Sequence, residues 1–255
     1  MKPKILSATA FLTLAALFFG TGVHSAQGQW KWPEKPKNLK VLNKDWPGSR
    51  LSPVMKGFTR SLGVRCSYCH VGEEGKDLST FDFVSDANPN KDRAREMLRM
   101  LGDINDHLKK IQPSGSERVN MWCQTCHHGR PRPMTLEEEM SERYRKQGID
   151  SALALYHSLK EKYLEKGAYD FTERSLNEFG YDLLEKDTTG AIRIFTLNTQ
   201  VFPKSSNVWD SLAEAYMKAG DMKMAKLNYE KSLQLDPENE DAKANLKKIN
   251  ESGSK

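Results

Sequence analysis

The sequence predicts an all-α protein in two parts, a compact N-terminal domain built around two short motifs and a C-terminal array of helix pairs. Three observations lead there. Residues 90–111, "NKDRAREMLRMLGDINDHLKKI", carry apolar side chains at three-four spacing, the signature of an amphipathic helix. Two Cys-x-x-Cys-His units, Cys66-Cys69-His70 and Cys123-Cys126-His127, contain every cysteine of the chain. From residue 191 onward, matching residues recur 34 positions apart, a period that marks stacked helix pairs.

The chain of 255 residues is 38% hydrophobic and 29% charged, with a formal net charge of +5. That balance suits a soluble folded protein and excludes a membrane bundle. No run of like charge points to nucleic acid; "HHGRPRP" is too short to count as one. Residues 1–25 read as a secretory signal, with Lys2 and Lys4 before an apolar stretch from Ile5 to Phe19, and Gly20 and Gly22 after it. The stretch is shorter than the about 20 residues a spanning helix needs. The expected destination is therefore the periplasm, with cleavage near Ser25. An uncleaved N-terminal segment or a membrane-bound partner would instead attach the protein to a membrane. Residues 26–37, "AQGQWKWPEKPK", read as an extended leader whose Trp30 and Trp32 would pack on the domain that follows.

In a Cys-x-x-Cys-His unit, one helical turn sets both thiols on one side, each able to form a thioether with a haem vinyl group. The histidine that follows then faces the iron. This is the c-type haem attachment sequence, and two copies predict two covalently bound c-type haems, at Cys66 and Cys69 and at Cys123 and Cys126. His70 and His127 would be the proximal iron ligands. A thioredoxin-like redox pair would need a preceding strand, which "TRSLGVRCSYCH" does not offer. A zinc site built from two Cys-x-x-Cys pairs usually has a gap of about 15–20 residues. Here Cys69 and Cys123 lie 54 apart.

Sixth ligands have candidates upstream of each motif. "RLSPVMKGFTRSLG" reads as a helix with Ser52 as N-cap, Pro53 at its first position and Gly63 at its end. Met55 lies in it, eleven residues before Cys66. In the second helix Ala94, Met97, Leu98, Leu101, Ile104, Leu108 and Ile111 would share one buried face, with Met97 near its middle and Met100 on its flank. Periodicity alone leaves these methionines equally explicable as core packing. Met100, His107 and His128 are further candidates for the axial position, and His157 is another histidine free to ligate or donate a proton.

With these residues named, the segment 38–133 resembles the cytochrome c subunit of photosynthetic reaction centres. "MKGFTRSLGVRCSYCH" has that family's spacing from methionine to first cysteine, and "AREMLRMLGDIN" and "NMWCQTCHHG" resemble its next helix and motif. The resemblance implies helix–turn–motif units with Met55 and Met97 as sixth ligands. It also marks departures: the family subunit carries four haems against two motifs here, and its additional histidine ligand would fall near Ile111. Arg130 and Arg132 would meet haem propionates or form a solvated turn.

Beyond Thr135 the chain changes character. Thr135 and Glu138 form a capping box, Gly148 ends that helix, and "DSALALYHSLKEKYLEKG" makes the next. Ala191 and Ala225, Phe195 and Tyr229, and Pro203 and Pro237 are each 34 apart. Residues 208–237 resemble a tetratricopeptide (TPR) repeat, with Trp209, Leu212, Tyr216, Gly220, Ala225, Tyr229 and Pro237 at signature positions. The unit before it keeps the alanine and proline but lacks the tryptophan. "NEDAKANLKKI" would cap the stack. The expected domains are 38–134 for the dihaem part, 135–174 for connecting helices and 175–255 for the repeats. The function expected is electron transfer between redox partner proteins, with docking through the repeats. A peroxidase-like enzyme with one open iron, or a haem-based redox or gas sensor, are the alternatives.

Overall fold

The computed structural model describes residues 30–111 and 119–252. The signal segment and the "QPSGSER" stretch, residues 112–118, lie outside the described residues. Among those described there is no β-strand, only an isolated bridge between Val71 and Asp82. The helices are α1 (Gly48–Leu62), α2 (Pro89–Ile111), α3 (Cys123–His127), α4 (Leu136–Tyr163), α5 (Glu173–Leu184), α6 (Thr188–Val201), α7 (Ser206–Lys218), α8 (Met222–Leu235) and α9 (Glu240–Ser252). Short 3-10 turns cover Cys66–Tyr68 and Leu78–Thr80. The all-α expectation holds.

The N-cap of α1 is Pro47, five residues before the expected Ser52, so Ser52 and Pro53 lie inside the helix that starts at Gly48. The cause is the leader. The Gly48 N–H donates to the Pro33 carbonyl at 3.1 Å, and any Cβ at Gly48 would stand 2.2 Å from that oxygen. The chain thus enters the helix where the leader crosses it, and Pro53 is accommodated at the cost of one internal hydrogen bond. The expected end holds: Gly63 takes φ 64° and ψ 32° as a left-handed cap. In the leader itself, the Trp30 ring lies 4.9 Å from Phe83 and 6.4 Å from Trp32.

The face of α2 expected to be buried is only partly covered. Met97 is 41% exposed and Ile111 78%, and the fully buried side chain of this helix is Arg95. Helix α2 packs on loops through its polar residues. Arg95 and Lys91 both reach Asp86 (2.9 and 3.3 Å), and Lys91 Nζ also donates to the carbonyls of Phe83, Val84 and Ser85.

The apolar core lies elsewhere. Thr135 and Glu138 cap α4 reciprocally, at 3.2 and 2.8 Å, and Gly148 breaks its helical path at φ 78°, ψ 179°. Leu136, Met140, Ala152 and Tyr156 of α4 join Leu176, Phe179, Ile194 and Phe195 of α5 and α6 in one cluster. Ala213, Ala225, Tyr229, Ala242 and Ile249 form a second. The residues that carried the 34-residue period, Ala191, Ala225, Phe195 and Tyr229, are all fully buried. Gly180 is required by the packing, since a Cβ there would meet the Phe195 ring at 2.5 Å.

The repeat continues in polar detail. Asp187 and Asp221, also 34 apart, cap α6 and α8 by accepting from Gly190 and Met224 N–H, each at 2.9 Å. Where the second unit has Trp209, whose Nε1 donates to the Pro203 carbonyl at 3.0 Å, the first has Ser175, whose hydroxyl donates to Asp170 O at 2.8 Å. The missing tryptophan is replaced by a smaller donor to the same kind of acceptor.

Candidate haem sites

Each Cys-x-x-Cys-His unit folds as a single turn. In the first, Cys69 N–H and His70 N–H both donate to the Cys66 carbonyl, at 3.2 and 2.9 Å. The second is α3 itself. Its entry is tied by Trp122 N–H to Thr125 Oγ1 at 3.0 Å, and its exit turns through two left-handed residues, His128 (φ 46°) and Gly129 (φ 81°).

Both ends of the N-terminal half converge on these turns. Gly129 N–H donates to Ser61 O at 2.8 Å, and a Cβ on Gly63 would lie 2.0 Å from the Gly129 carbonyl. The tip of α1 is therefore pressed on the second motif, and only glycine fits the contact. Helix α2 holds both motifs. At its start, the Asn88 amide donates to Ser67 O (3.3 Å) and Tyr68 O (3.2 Å), and Asn90 donates to Tyr68 O (2.9 Å). About four turns on, Asn105 accepts from Met121 N–H at 2.7 Å and donates to Met121 O at 3.0 Å. These asparagines were not singled out in the sequence, because an isolated asparagine carries no spacing signal.

The two histidines sit in different surroundings. His127 is buried, with Nδ1 2.8 Å from Arg130 O. His70 is half-buried, its ring 5.0 Å from Phe83, and its Nδ1 has no hydrogen-bond partner. Burial, then the charges of Lys91 and Arg95, pushes His70 down to about 4. Burial also raises the thiols of Cys69 and Cys123, which disfavours the thiolate that redox exchange or zinc binding would use. No group of three or more His, Cys, Asp or Glu among the described residues is placed to hold a metal ion directly.

Among the remaining candidates, Met55 is half-buried on α1, Met97 and Met100 are exposed on α2, and His107 is exposed on the same helix. The His128 Nε2 is 2.9 Å from Thr125 O, and His157 is exposed on α4. Of the pair expected to meet propionates or form a solvated turn, Arg132 is exposed and Arg130 is not. Arg130 is buried with its guanidinium over the Tyr169 ring at 4.0 Å, and Arg132 pairs with Glu142 at 2.9 Å.

These residues fit haem. Among the described residues, all the buried apolar side chains lie from Leu136 onward except Leu51. In the motif-bearing half, Val71, Val84, Met97, Met100 and Trp122 stand exposed, and Val71 and Trp122 directly flank the Cys-x-x-Cys-His turns in sequence. A half of this length with one fully buried apolar side chain is short of the apolar contact a stable core requires. Attached macrocycles would provide that contact, and the donor set of paired thiols with an adjacent imidazole is the one they use.

A helical protein with Cys-x-x-Cys-His turns built in this way has the makings of a c-type cytochrome, a carrier of covalently bound c-type haem. The family described as Photosynthetic reaction centre cytochrome C subunit matches residues 34–165, more than half of the chain, and the chain belongs to this family. The match extends through α4, past the 38–133 segment whose motifs carry the resemblance. Cytochrome c-554 of Chloroflexus aurantiacus is 35% identical over 71 residues, 28% of this chain and 15% of that protein, so the chain matches a small part of that relative's length. Solved structures similar to this chain include the first and second TPR domains of human RPAP3. They are 18% and 17% identical, cover 47% and 45% of this chain and 90% and 92% of theirs, and have TM-scores of 0.34 and 0.33. At those scores the TPR-like assignment stands instead on the 34-residue spacing and the buried signature positions.

Proposed function

We propose that this chain is an exported, periplasmic dihaem cytochrome that passes electrons between redox partner proteins and docks one of them through its repeats. Haem would be attached at Cys66 and Cys69 and at Cys123 and Cys126. His70 and His127 would hold the irons on one side, and Met55 and Met97 on the other. Bound haem supplies one-electron chemistry at a potential set by its axial ligands and surroundings. The chain's part is to bind it, orient the imidazoles and close both axial positions, so that electrons move and substrates do not bind.

The observation that carries this reading is the common mounting of the two motifs. Asn90 of α2, with Asn88 just before the helix, holds the first turn, and Asn105 of the same helix holds the segment entering the second. Asn90 and Asn105 are 15 residues apart, about 22 Å along α2. A single rigid element fixing two attachment turns at that range suits transfer from one to the other.

The test is to produce the chain with a c-type maturation system and measure the denatured intact mass and the reduced visible spectrum. Two covalent haems per chain are expected, and one or none overturns the reading. Carbon monoxide then probes the axial methionines. The wild type should resist it, and Met55→Ala and Met97→Ala should each open one iron.

A further inference from the structure

One residue ties the second motif to the repeat region. Arg130 N–H donates to His127 O at 2.8 Å, while Arg130 O lies 2.8 Å from His127 Nδ1, so the turn and the ring brace each other. The Arg130 side chain leaves the motif. Its Nη1 donates to Met134 O, and its guanidinium lies over the Tyr169 ring, 4.0 Å from the centroid. Tyr169 belongs to the link between α4 and α5. Its hydroxyl donates to Glu139 on α4 at 3.2 Å, and its ring meets Tyr163 and Phe171 edge-on at 5.5 and 5.8 Å. The carbonyl facing His127 is thus held by a side chain locked between elements of the C-terminal half. His70 has no such acceptor at Nδ1.

A carbonyl accepting from the distal N–H of a ligating imidazole makes it a stronger donor to the metal. A stronger donor stabilises the oxidised iron and lowers its reduction potential. From this asymmetry we infer that Arg130, positioned by Tyr169, sets the donor strength of His127, so that the haem of the second motif has the lower potential of the two. Arg130 and Tyr169 are positioning residues, acting through His127. The inference rests on the two-haem reading above.

The experiment is a potentiometric titration of the full-length haem-loaded protein, after its haem-to-chain ratio has been measured. Two waves are expected in the wild type. Tyr169→Leu, which removes the stacking, should move the lower wave upward and leave the upper one in place. Arg130→Gln should do the same without disturbing the tyrosine cluster, and it carries the test if Tyr169→Leu fails to fold. Tyr169→Phe keeps the ring and should titrate like the wild type. Coincident movement of both waves, movement of the upper wave alone, or no movement in either disruptive variant overturns the inference. So does a Phe variant as shifted as the Leu one. A ratio below two haems per chain in the wild type is a separate failure, of the two-haem reading itself, and the inference goes with it.

Discussion

Asn105 shows how much a single side chain contributes to the site. Its amide accepts from Met121 N–H and donates to both Met121 O and Leu101 O, closing the segment before Cys123 onto α2 as a strand partner would. Asn105→Ala leaves a part-buried backbone donor and acceptor without partners, at about 1–3 kcal/mol. Urea unfolding of the haem-loaded protein should show that loss, and Asn105→Asp, which keeps the acceptor, should lose less. Equal loss in the two variants would mean that the retained acceptor contributes nothing and that the amide donor carries the clamp. The Cys-x-x-Cys-His units were legible because the chemistry of attachment fixes residue type and spacing together. The asparagines that hold them were not, because their partners are backbone groups 16–22 residues away, and backbone groups leave no mark on the sequence.

At the scale of elements, legibility followed periodicity. The 34-residue period located α5 to α8 because each repeat buries the same positions against its neighbour. The start of α1 was misplaced because Gly48 answers to the leader crossing it, a contact between segments that no helix signal encodes. The repeats also carry a titration signal. Burial first, then the charges of Glu214 and Asp241, pushes the Asp210 carboxyl on α7 up to about 6, against the Asn239 amide that pulls it down. A carboxyl whose folded value is raised binds more protons folded than unfolded. Its contribution is complete below the unfolded value of about 4 and is lost as pH rises through about 6. Asp210→Asn should therefore match the wild type in thermal midpoint near pH 4 and exceed it progressively up to pH 6, levelling off above. A difference independent of pH would show that Asp210 does not titrate in this window.

Across the whole molecule, the two halves gain their stability by different routes. Residues from Leu136 onward have two apolar clusters, reciprocal caps and alanines that let helices approach. The motif-bearing half has Leu51 as its one fully buried apolar side chain among the described residues, with ion pairs around Asp86 and asparagine clamps in place of a core. Ion pairs removed from water repay little beyond their own desolvation, so this half should depend on attached haem for its order. The dependence separates the halves in a hydrogen-exchange comparison of the chain made with and without c-type maturation. Without haem, slow exchange should be confined to α4 through α9. With haem, α1, α2 and α3 should gain protection while the repeats change little, except near Arg130 and Tyr169, where the halves touch. Protection of α1 to α3 that is the same in both preparations would mean that the polar clamps suffice alone, and that haem is a passenger in this fold rather than its core.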